Sequence, residues 1–489
     1  MTGPGALLVV APVLVPLLTS LLALLLAGRP RLQARVSLAG AVVLSAAALA
    51  LLAGAVTGEV ARVTFGGWPA PFGIEFAIDR LGAALIAITA VLGLATLLFL
   101  SSDADVGPAH PFLHPLLHGL LAGVGGSFAT ADLFNLYVWF EIMLVCSVGL
   151  LALGGRPAQL DAALKYLVLN LFGTILLLAS VTLLYAVTGH LNFAALARTA
   201  PAASPALMTP LLAALVLALL VKAGAFPLFA WLPASYHTLP APVLALFAGL
   251  LTKVGVYAVL RVVGDVFARP AVPLHEALGW LAAATMLVGV LGAAYHWDLR
   301  RILAFHIVSQ IGYILLGVAL ATPAGNAATV FYTIHHIVVK ANLFLIGAIV
   351  CRLAGSYDLR RIGGLYRARP GLAVLFLLPA LSLVGIPPLS GFWAKLLVLR
   401  EAINAGRVTW TVVALAVSLL TLYSMLKVWV EAFWKPHPDP GWQPAAGARL
   451  APAYLVTAAL AAVTLAISLA PQALVAYSLE AARALGGGR

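Results

Sequence analysis

Four lysines lie well inside apolar stretches of the sequence, where a charged side chain is costly: Lys222, Lys253, Lys340 and Lys395. Each charge at the centre of a membrane-crossing helix costs about 2.5–3.5 kcal/mol on an insertion scale. Nearly all of the 21 arginines, by contrast, lie in loops or at the ends of apolar stretches. Arginine cannot release its proton in a protein, whereas a buried lysine can. The basic residues are therefore distributed by their ability to titrate, which indicates proton transfer.

Glu141 is the only carboxylate that lies clearly in the middle of an apolar stretch. Structural ion pairing and snorkelling toward the membrane surface are the alternatives to a functional role for the lysines. One glutamate cannot neutralise four lysines, so the others are expected to be neutral part of the time, hydrated, or both. The predicted proton-carrying residues are Glu141 and these four lysines.

Histidine adds a second titratable residue type. His336 and Lys340 are four residues apart and share one face of a predicted helix. Because histidine titrates close to physiological pH, His336 is expected to act as a relay beside Lys340. The alternative is that His335 and His336 only bond the neighbouring backbone. His237 follows a broken apolar stretch. It either marks a cytoplasmic entrance to the proton pathway or is an ordinary polar residue, and the sequence favours neither interpretation.

Three other histidines and two cysteines are residue types that bind metals, but their spacing and neighbours are not those of a metal site. His110, His114 and His118 share one helix face, yet no carboxylate accompanies them, so we expect no metal site. Cys146 and Cys351 lie within or at the end of apolar stretches and are interpreted as structural. The sequence contains no haem, flavin or iron–sulfur ligation pattern, and no cofactor is expected.

The elements that position these residues are predicted to be membrane-crossing helices. Of the 489 residues, 63% are hydrophobic and only 9% are charged, against about 25% charged in average proteins. Most of the apolar stretches reach the ~17–25 residues that cross a bilayer. The fourteen stretches are Ala6–Ala27, Val36–Val56, Leu81–Leu100, Phe112–Thr130, Leu133–Leu153, Leu164–Val187, Ala206–Trp231, Val243–Val263, Ala277–Ala294, Ile302–Ala321, Ala327–Leu353, Gly371–Leu399, Val408–Trp434 and Tyr454–Leu469. The sequence therefore predicts an all-α polytopic protein with one membrane domain over residues 1–489.

The first stretch has neither the basic leading region nor a convincing cleavage site of a signal peptide, and we expect it to be retained.

The net charge of +12 is attributed to topology, because basic residues favour cytoplasmic loops. One set of loops carries fourteen basic residues, and the other set, with the termini, carries nine. Both termini are therefore expected on the outer side of a bacterial inner membrane. No loop is both long and basic enough to bind nucleic acid.

Two of the predicted helices are interrupted in similar ways. One contains Pro227 and Pro233 shortly after Lys222, and the other contains Pro387 and Pro388 before Lys395. A proline in a helix frees backbone groups, which survive in a membrane only beside protein or a water-filled cavity. Paired interruptions five helices apart indicate an inverted repeat with the transport site at the breaks. The predicted five-helix units are Phe112–Val263 and Ala277–Trp434.

Several of these segments resemble a known family. They are Asp132-Leu-Phe-Asn-Leu-Tyr-Val-Trp-Phe-Glu141, Leu239-Pro-Ala-Pro-Val-Leu-Ala-Leu, Leu250-Leu-Thr-Lys253-Val-Gly-Val-Tyr257, Ser309-Gln-Ile-Gly-Tyr313 and Gly385-Ile-Pro-Pro-Leu-Ser-Gly-Phe-Trp-Ala-Lys395. Together they are similar to the antiporter-like subunits shared by respiratory complex I and Mrp-type antiporters, from about Phe65 to Trp434. Within that family the sequence looks most like the D-type subunits of multisubunit Mrp sodium/proton antiporters.

The resemblance implies fourteen helices with two inverted five-helix repeats. It also implies that Glu141 and Lys222 form the key pair, and that a polar axis continues through Lys253, the His336/Lys340 region and Lys395. The implied partners are the A, B, C, E, F and G subunits of a membrane antiporter complex, with protons and sodium as the transported ions.

Two functions of different classes follow from these expectations. The first is a secondary transporter subunit that carries protons while sodium crosses elsewhere, since one buried carboxylate facing a lysine makes a poor sodium site. The second is a proton-pumping subunit of a redox enzyme, such as complex I or a membrane-bound hydrogenase, whose redox centres lie in partner subunits. A purely structural scaffold is a third interpretation that the four buried lysines argue against.

Overall fold

The computed structural model of the chain describes residues 4–101, 110–268, 272–445 and 450–485. Three of the basic residues counted above for the loops and termini, Arg269, Arg449 and Arg489, lie outside these ranges. The described residues are mainly helical. The helices are α1 (Pro4–Leu25), α2 (Pro30–Val56), α3 (Arg80–Ser101), α4 (Leu113–Ala129), α5 (Leu133–Ala152), α6 (Pro157–Thr188), α7 (Phe193–Thr199), α8 (Pro205–Ala223), α9 (Trp231–Ser235), α10 (Ala241–Arg261), α11 (His275–Tyr295), α12 (Leu299–Ala319), α13 (Pro323–Ala354), α14 (Leu365–Ala368), α15 (Pro370–Val384), α16 (Ser390–Asn404), α17 (Val408–Trp429), α18 (Ala451–Leu469) and α19 (Pro471–Ala484).

Twelve helices in the described residues are long and apolar enough to cross a membrane. The all-α polytopic membrane class is therefore confirmed. Two predicted segments do not meet this description as continuous helices. Helix α4 has 17 residues, and the twelfth segment is divided into α15 and α16, of 15 residues each. Fourteen crossings therefore stay a prediction.

A short β-hairpin was not predicted from the sequence. Strands β1 (Ala61–Thr64) and β2 (Glu75–Ile78) pair antiparallel in the connection between α2 and α3. Phe76 also bridges to Thr130, which follows α4. The hairpin thus closes this side of the helix bundle, and four-residue strands are too short for alternation to reveal them in the sequence.

The centre of the molecule is formed by α10, α12 and α13, which are buried along almost their whole length. Helix α13 packs against α10 and α12 and also against α15, α16, α18 and α19. A helix that is apolar on all sides is expected in such a position. The polar residues on these three helices therefore face other protein segments and not lipid.

Both predicted helix breaks are present. Helix α8 ends at Ala223, directly after Lys222, and the next residue, Gly224, has a φ of +72°. Helix α15 ends at Val384, and the next residue, Gly385, has a φ of +94°. Glycine adopts this left-handed conformation without the penalty of a Cβ atom and commonly ends a helix. The prolines that follow have no N–H to donate, so neither helix continues directly across the break.

The two halves contain a segment in constant register. A separation of 166 residues relates Asp132 to Asp298, which precede α5 and α12 and cap them. The same separation relates α6 to α13, both of 32 residues, which begin with a proline and are followed by a left-handed glycine. It also relates two isolated bridges, Asp132 to Asn192 and Asp298 to Asp358. These correspondences agree with the predicted repeats, whose bounds stay a prediction.

Candidate functional site: a buried polar axis

All four predicted lysines are buried inside the helix bundle. Their exposed fractions are 6% for Lys222, 0% for Lys253, 0% for Lys340 and 5% for Lys395. They lie on α8, α10, α13 and α16, respectively. Snorkelling to the membrane surface therefore does not describe these side chains. Each ammonium group instead bonds a backbone carbonyl or a hydroxyl inside the protein.

Lys222 and Glu141 are joined through a third residue, Thr174 on α6. Lys222 Nζ donates to Thr174 Oγ1 at 2.6 Å and to the carbonyl oxygen of Asn170 at 3.1 Å. Thr174 Oγ1 donates to Glu141 Oε1 at 2.7 Å. Glu141 is half-buried, on α5, and within electrostatic range of Lys222. The predicted pair is thus brought together, but the described structure links it by a hydroxyl and not by direct contact.

A small cavity adjoins this pair. It is lined by Lys222, Asn170, Tyr166 and the ring of Phe140, among others, and has a volume of about 20 Å³. That volume is sufficient for one water molecule, which needs roughly 10–15 Å³ and polar partners. Lys222 Nζ also lies 5.7 Å from the centre of the Phe140 ring. The Lys222 ammonium therefore lies near a hydroxyl, a backbone carbonyl oxygen and an aromatic ring.

Lys253 follows on α10, which approaches the end of α8 closely. Gly255 makes this approach possible, because a Cβ atom there would collide with the backbone of Ala223. Lys253 Nζ donates to the carbonyl oxygen of Ala248 at 2.5 Å. The ammonium groups of Lys253 and Lys340 are within electrostatic range of each other. Lys253 therefore interacts with Lys340 of α13, and its helix packs against α8.

His336 interacts electrostatically with both Lys253 and Lys340. Neither of its ring nitrogens has a hydrogen-bond partner in the described residues. Lys340 Nζ donates to the carbonyl oxygen of Leu303 at 3.1 Å. The neighbouring ring of His335 instead bonds Ser390 Oγ through Nδ1 at 2.8 Å. The alternative in which both histidines bond nearby backbone therefore does not describe the structure.

Lys395 is positioned by the second broken helix. Its Nζ donates to the carbonyl oxygen of Val384, the last residue of α15, at 2.7 Å. It also donates to Ser418 Oγ at 3.1 Å and lies 4.9 Å from the centre of the Tyr313 ring. The last carbonyls of a helix have no partner within that helix, so the break supplies an acceptor for Lys395. Gly385 is required here because an added Cβ would lie 2.9 Å from Lys395 Cδ.

Sequence reasoning missed two residues of this axis, Thr174 and His306, of which His306 lies on α12. Its Nε2 lies 2.9 Å from Ser424 Oγ. The imidazole is fully buried and within electrostatic range of Lys340, Lys395 and Lys427. It therefore occupies the interval between Lys340 and Lys395. His336 was singled out by its spacing of four residues from Lys340. His306 has no lysine at that spacing, so only its place inside the apolar stretch Ile302–Ala321 could have indicated it.

The buried polar axis thus comprises titratable side chains and the hydroxyl of Thr174. In order they are Glu141, Thr174, Lys222, Lys253, His336, Lys340, His306 and Lys395. Comparison with known proteins identifies the family of the chain. The family described as NADH:quinone oxidoreductase/Mrp antiporter, TM matches residues 130–421, and the D-type Na(+)/H(+) antiporter subunit of Alkalihalophilus pseudofirmus is 37% identical over 481 residues, 97% of this chain and 96% of that protein. The chain belongs to the NADH:quinone oxidoreductase/Mrp antiporter family.

Solved structures of this family extend the similarity to the whole fold. A chain of the Mrp complex from Dietzia sp. is 35% identical, with a TM-score of 0.91, and the match covers 100% of this chain and 98% of that one. A chain of the membrane-bound sulfane sulfur reductase, an archaeal respiratory membrane complex, is 26% identical with the same TM-score of 0.91, over 98% and 97% of the two chains. The predicted resemblance to the D-type members of the NADH:quinone oxidoreductase/Mrp antiporter family is confirmed.

A second buried charge cluster lies where the sequence predicted only a helix end. Arg261, 1% exposed, ends α10 and donates through Nη2 to Asp79 Oδ1 at 2.6 Å and through Nη1 to Asp265 Oδ2 at 3.3 Å. Its Nε donates to the hydroxyl of Tyr257 at 3.1 Å. The nine basic residues counted for the outer loops and termini included Arg261, whose guanidinium is enclosed in the structure. The helix continues past it as a π-helical turn to Val266, which carries Asp265 back toward Arg261.

His114 and His118 lie away from the polar axis and share one hydroxyl. His114 Nδ1 and His118 Nε2 each lie 2.9 Å from Ser37 Oγ. Within the described ranges no cluster of three or more His, Cys, Asp or Glu could hold a metal ion. Cys146 and Cys351 are free thiols.

His237 lies between α9 and α10, where its ring bonds the Pro233 carbonyl oxygen at 3.2 Å and Arg301 Nη2 at 3.2 Å. Arginine can only donate, so the contact with Arg301 requires an unprotonated Nε2 on His237. Burial, followed by the charges of Arg301 and Arg300, lowers the pKa of His237. The neutral ring therefore tethers the broken segment to the start of α12.

Proposed function

We propose that this chain is the proton-translocating subunit of a multisubunit cation/proton antiporter. The observation that carries the proposal is the succession of buried titratable side chains from Glu141 to Lys395. It occurs in a chain that is similar over nearly its whole length to a protein named as a Na(+)/H(+) antiporter subunit. Proton carriage by Glu141, Lys222, Lys253, His336, Lys340 and Lys395 is part of the proposal. His306 is added to that set.

Glu141 acts in this mechanism as a movable counter-charge. While its carboxylate is held near Lys222 through Thr174, the negative charge favours the protonated form of the lysine. A conformational change that separates Glu141 from Lys222 removes this preference, and the proton passes on toward Lys253. Lys340 and the two buried histidines continue the transfer, and Lys395 releases the proton beside the second helix break.

Several further features belong to the same proposal. The partners are the other subunits of an Mrp-type complex, of the A, B, C, E, F and G types, and sodium crosses the membrane outside this chain. The chain lies in the inner membrane of a bacterium with both termini outside. Two inverted five-helix repeats, Phe112–Val263 and Ala277–Trp434, place the broken helices on opposite sides of the axis, and the chain is not itself an enzyme.

A proton-pumping subunit of a membrane-bound redox complex is the second candidate. The observation in its favour is the similarity to a chain of the archaeal sulfane sulfur reductase. In that case the same axis would carry protons, but an electron-transfer reaction in partner subunits would drive them.

The test is transport by the complete complex in everted membrane vesicles from cells that lack other sodium/proton antiporters. Addition of sodium to vesicles with an imposed pH gradient should dissipate that gradient, and Lys253→Ala should remove most of the sodium response. Proton movement that ignores sodium but follows addition of an electron donor would instead support the redox complex. Absence of both responses in an assembled complex would contradict proton translocation altogether.

A further inference from the structure

Thr174 departs from the behaviour of the other hydroxyl residues on its helix. Ser180, Thr182 and Thr188 each donate to the carbonyl oxygen four residues earlier, which is the common arrangement in helices. Thr174 instead donates to Glu141 Oε1. The carbonyl oxygen that it would ordinarily bond, that of Asn170, accepts from Lys222 Nζ. The hydroxyl proton of Thr174 is therefore directed out of the helix, toward the carboxylate.

The directions of the two bonds define a donor chain. A hydroxyl has one proton, so an oxygen that donates to Glu141 can only accept from Lys222. The distances, 2.6 Å to Lys222 Nζ and 2.7 Å to Glu141 Oε1, are those of hydrogen bonds strengthened by charge. Among the described residues no direct ion pair joins Glu141 to Lys222. The shortest route between the two charged groups therefore passes through Thr174 Oγ1.

Thr174 occupies the same position in α6 that a titratable residue occupies in α13, the corresponding helix of the other half. Counted from their first residues, Thr174 is at position 18 of α6 and Lys340 is at position 18 of α13. Asn170 and His336 share position 14, and Tyr166 and Tyr332 share position 10. Residues spaced by four lie on one helix face. In α13 this face holds part of the polar axis, and in α6 the corresponding face holds Asn170 and Thr174.

We propose that Thr174 is a proton relay between Lys222 and Glu141 and not only a spacer. As an N–H bond of the Lys222 ammonium breaks, a new O–H bond forms on Thr174, and the original hydroxyl proton moves to Glu141 Oε1. The products are a neutral amine, a neutral carboxylic acid and an intact hydroxyl, so atoms and charge balance without another reactant. The reverse step charges Lys222 from a protonated Glu141. The inference rests on the proposed function, because it assigns a role within the same pathway.

The sharpest comparison is between Thr174→Ser and Thr174→Ala, which differ only in the hydroxyl oxygen. Both are examined in the complete complex in everted vesicles, together with Thr174→Val, which keeps the size of threonine. Thr182→Val is the matched control, because Thr182 lies on the same helix and bonds only the Leu178 carbonyl oxygen. We expect Thr174→Ser to keep at least half of the wild-type turnover and both hydroxyl-free variants to lose at least tenfold.

The pH–activity profile separates a relay from a packing role. Loss of the relay should change the shape of the profile in Thr174→Ala but not in Thr174→Ser, whereas loosened packing would scale turnover equally at all pH values. Equal turnover in Thr174→Ala and Thr174→Ser, with the complex assembled, would overturn the relay. If wild-type vesicles show no sodium-dependent proton movement, the proposed function fails instead, so the two failures are distinguishable.

Discussion

The guanidinium of Arg261 lies 2.6 Å from the carboxylate of Asp79, although 182 residues separate them in the sequence. The contact ties the end of α10, the helix that carries Lys253, to the beginning of α3. Both side chains are almost completely enclosed, with exposed fractions of 2% and 8%. Separation of an enclosed ion pair is costly, because no water is available to solvate the charge that is left without a partner. We therefore expect this contact to help position α10, the helix that carries Lys253.

Replacement of Arg261 by methionine should destabilise the protein strongly. The carboxylates of Asp79 and Asp265 would lose the opposite charge, and removal of one partner of a buried pair typically costs about 3–5 kcal/mol. The measurement is the thermal unfolding midpoint of the purified complex, compared with that of Lys165→Ala. Lys165 pairs with Asp161 on an exposed surface, where loss of a pair costs about 0–1 kcal/mol. Similar midpoints for the two variants would show that the enclosed pair does not stabilise α10.

Glu141→Gln and Lys222→Ala should each abolish sodium-dependent proton transport while the complex still assembles. Glutamine retains an acceptor for the Thr174 hydroxyl but cannot carry the negative charge that favours protonated Lys222. Alanine removes the ammonium group itself. Transport is measured in everted vesicles, and assembly is measured by the subunit content of the purified complex. Near-normal transport in either variant would contradict the movable counter-charge.

The burial of the four lysines and the two helix breaks could be predicted from sequence for simple physical reasons. A lysine in the middle of an apolar run is buried when the run folds into the helix bundle. A cluster of Gly and Pro residues interrupts a helix in any surroundings. Thr174 could not be identified in this way, because a threonine in an apolar helix ordinarily bonds its own backbone. The contact between Arg261 and Asp79 could not be predicted either, because 182 residues separate the two in sequence. Contacts between distant segments are set by packing, which one sequence does not display.

His237 provides a pH-dependent contact outside the membrane-crossing segments. Burial and the charges of Arg301 and Arg300 lower its pKa, so the neutral ring is favoured in the folded protein. Its contribution to stability is complete above the usual histidine pKa of about 6.5 and is lost as pH falls through the lowered pKa. Protonation removes the acceptor for Arg301. We therefore expect the contact between the broken segment and α12 to loosen in acid.

His237→Gln tests this expectation, because glutamine can accept from Arg301 through Oε1 but does not titrate. The quantity to measure is the ratio of wild-type to variant transport from about pH 8 down to about pH 5. The ratio should be constant above about pH 6.5 and should fall at lower pH, where only the wild type gains a proton at this position. Parallel profiles over the whole range would show that His237 is an ordinary polar residue of the loop.

Lys395→Arg should lose transport even though it keeps the positive charge. Arginine can donate to the Val384 carbonyl oxygen and to Ser418 Oγ, the partners of Lys395, but it cannot release its proton. Lys427→Arg is the control, because Lys427 bonds the carbonyl oxygens of Ala294 and His296 and lies 5.1 Å from the centre of the Trp297 ring, and a permanent charge suffices for these contacts. Turnover in vesicles should fall at least tenfold in the first variant and remain within twofold of wild type in the second. Normal turnover in Lys395→Arg would mean that this lysine acts through its charge alone and that protons leave the axis before α16.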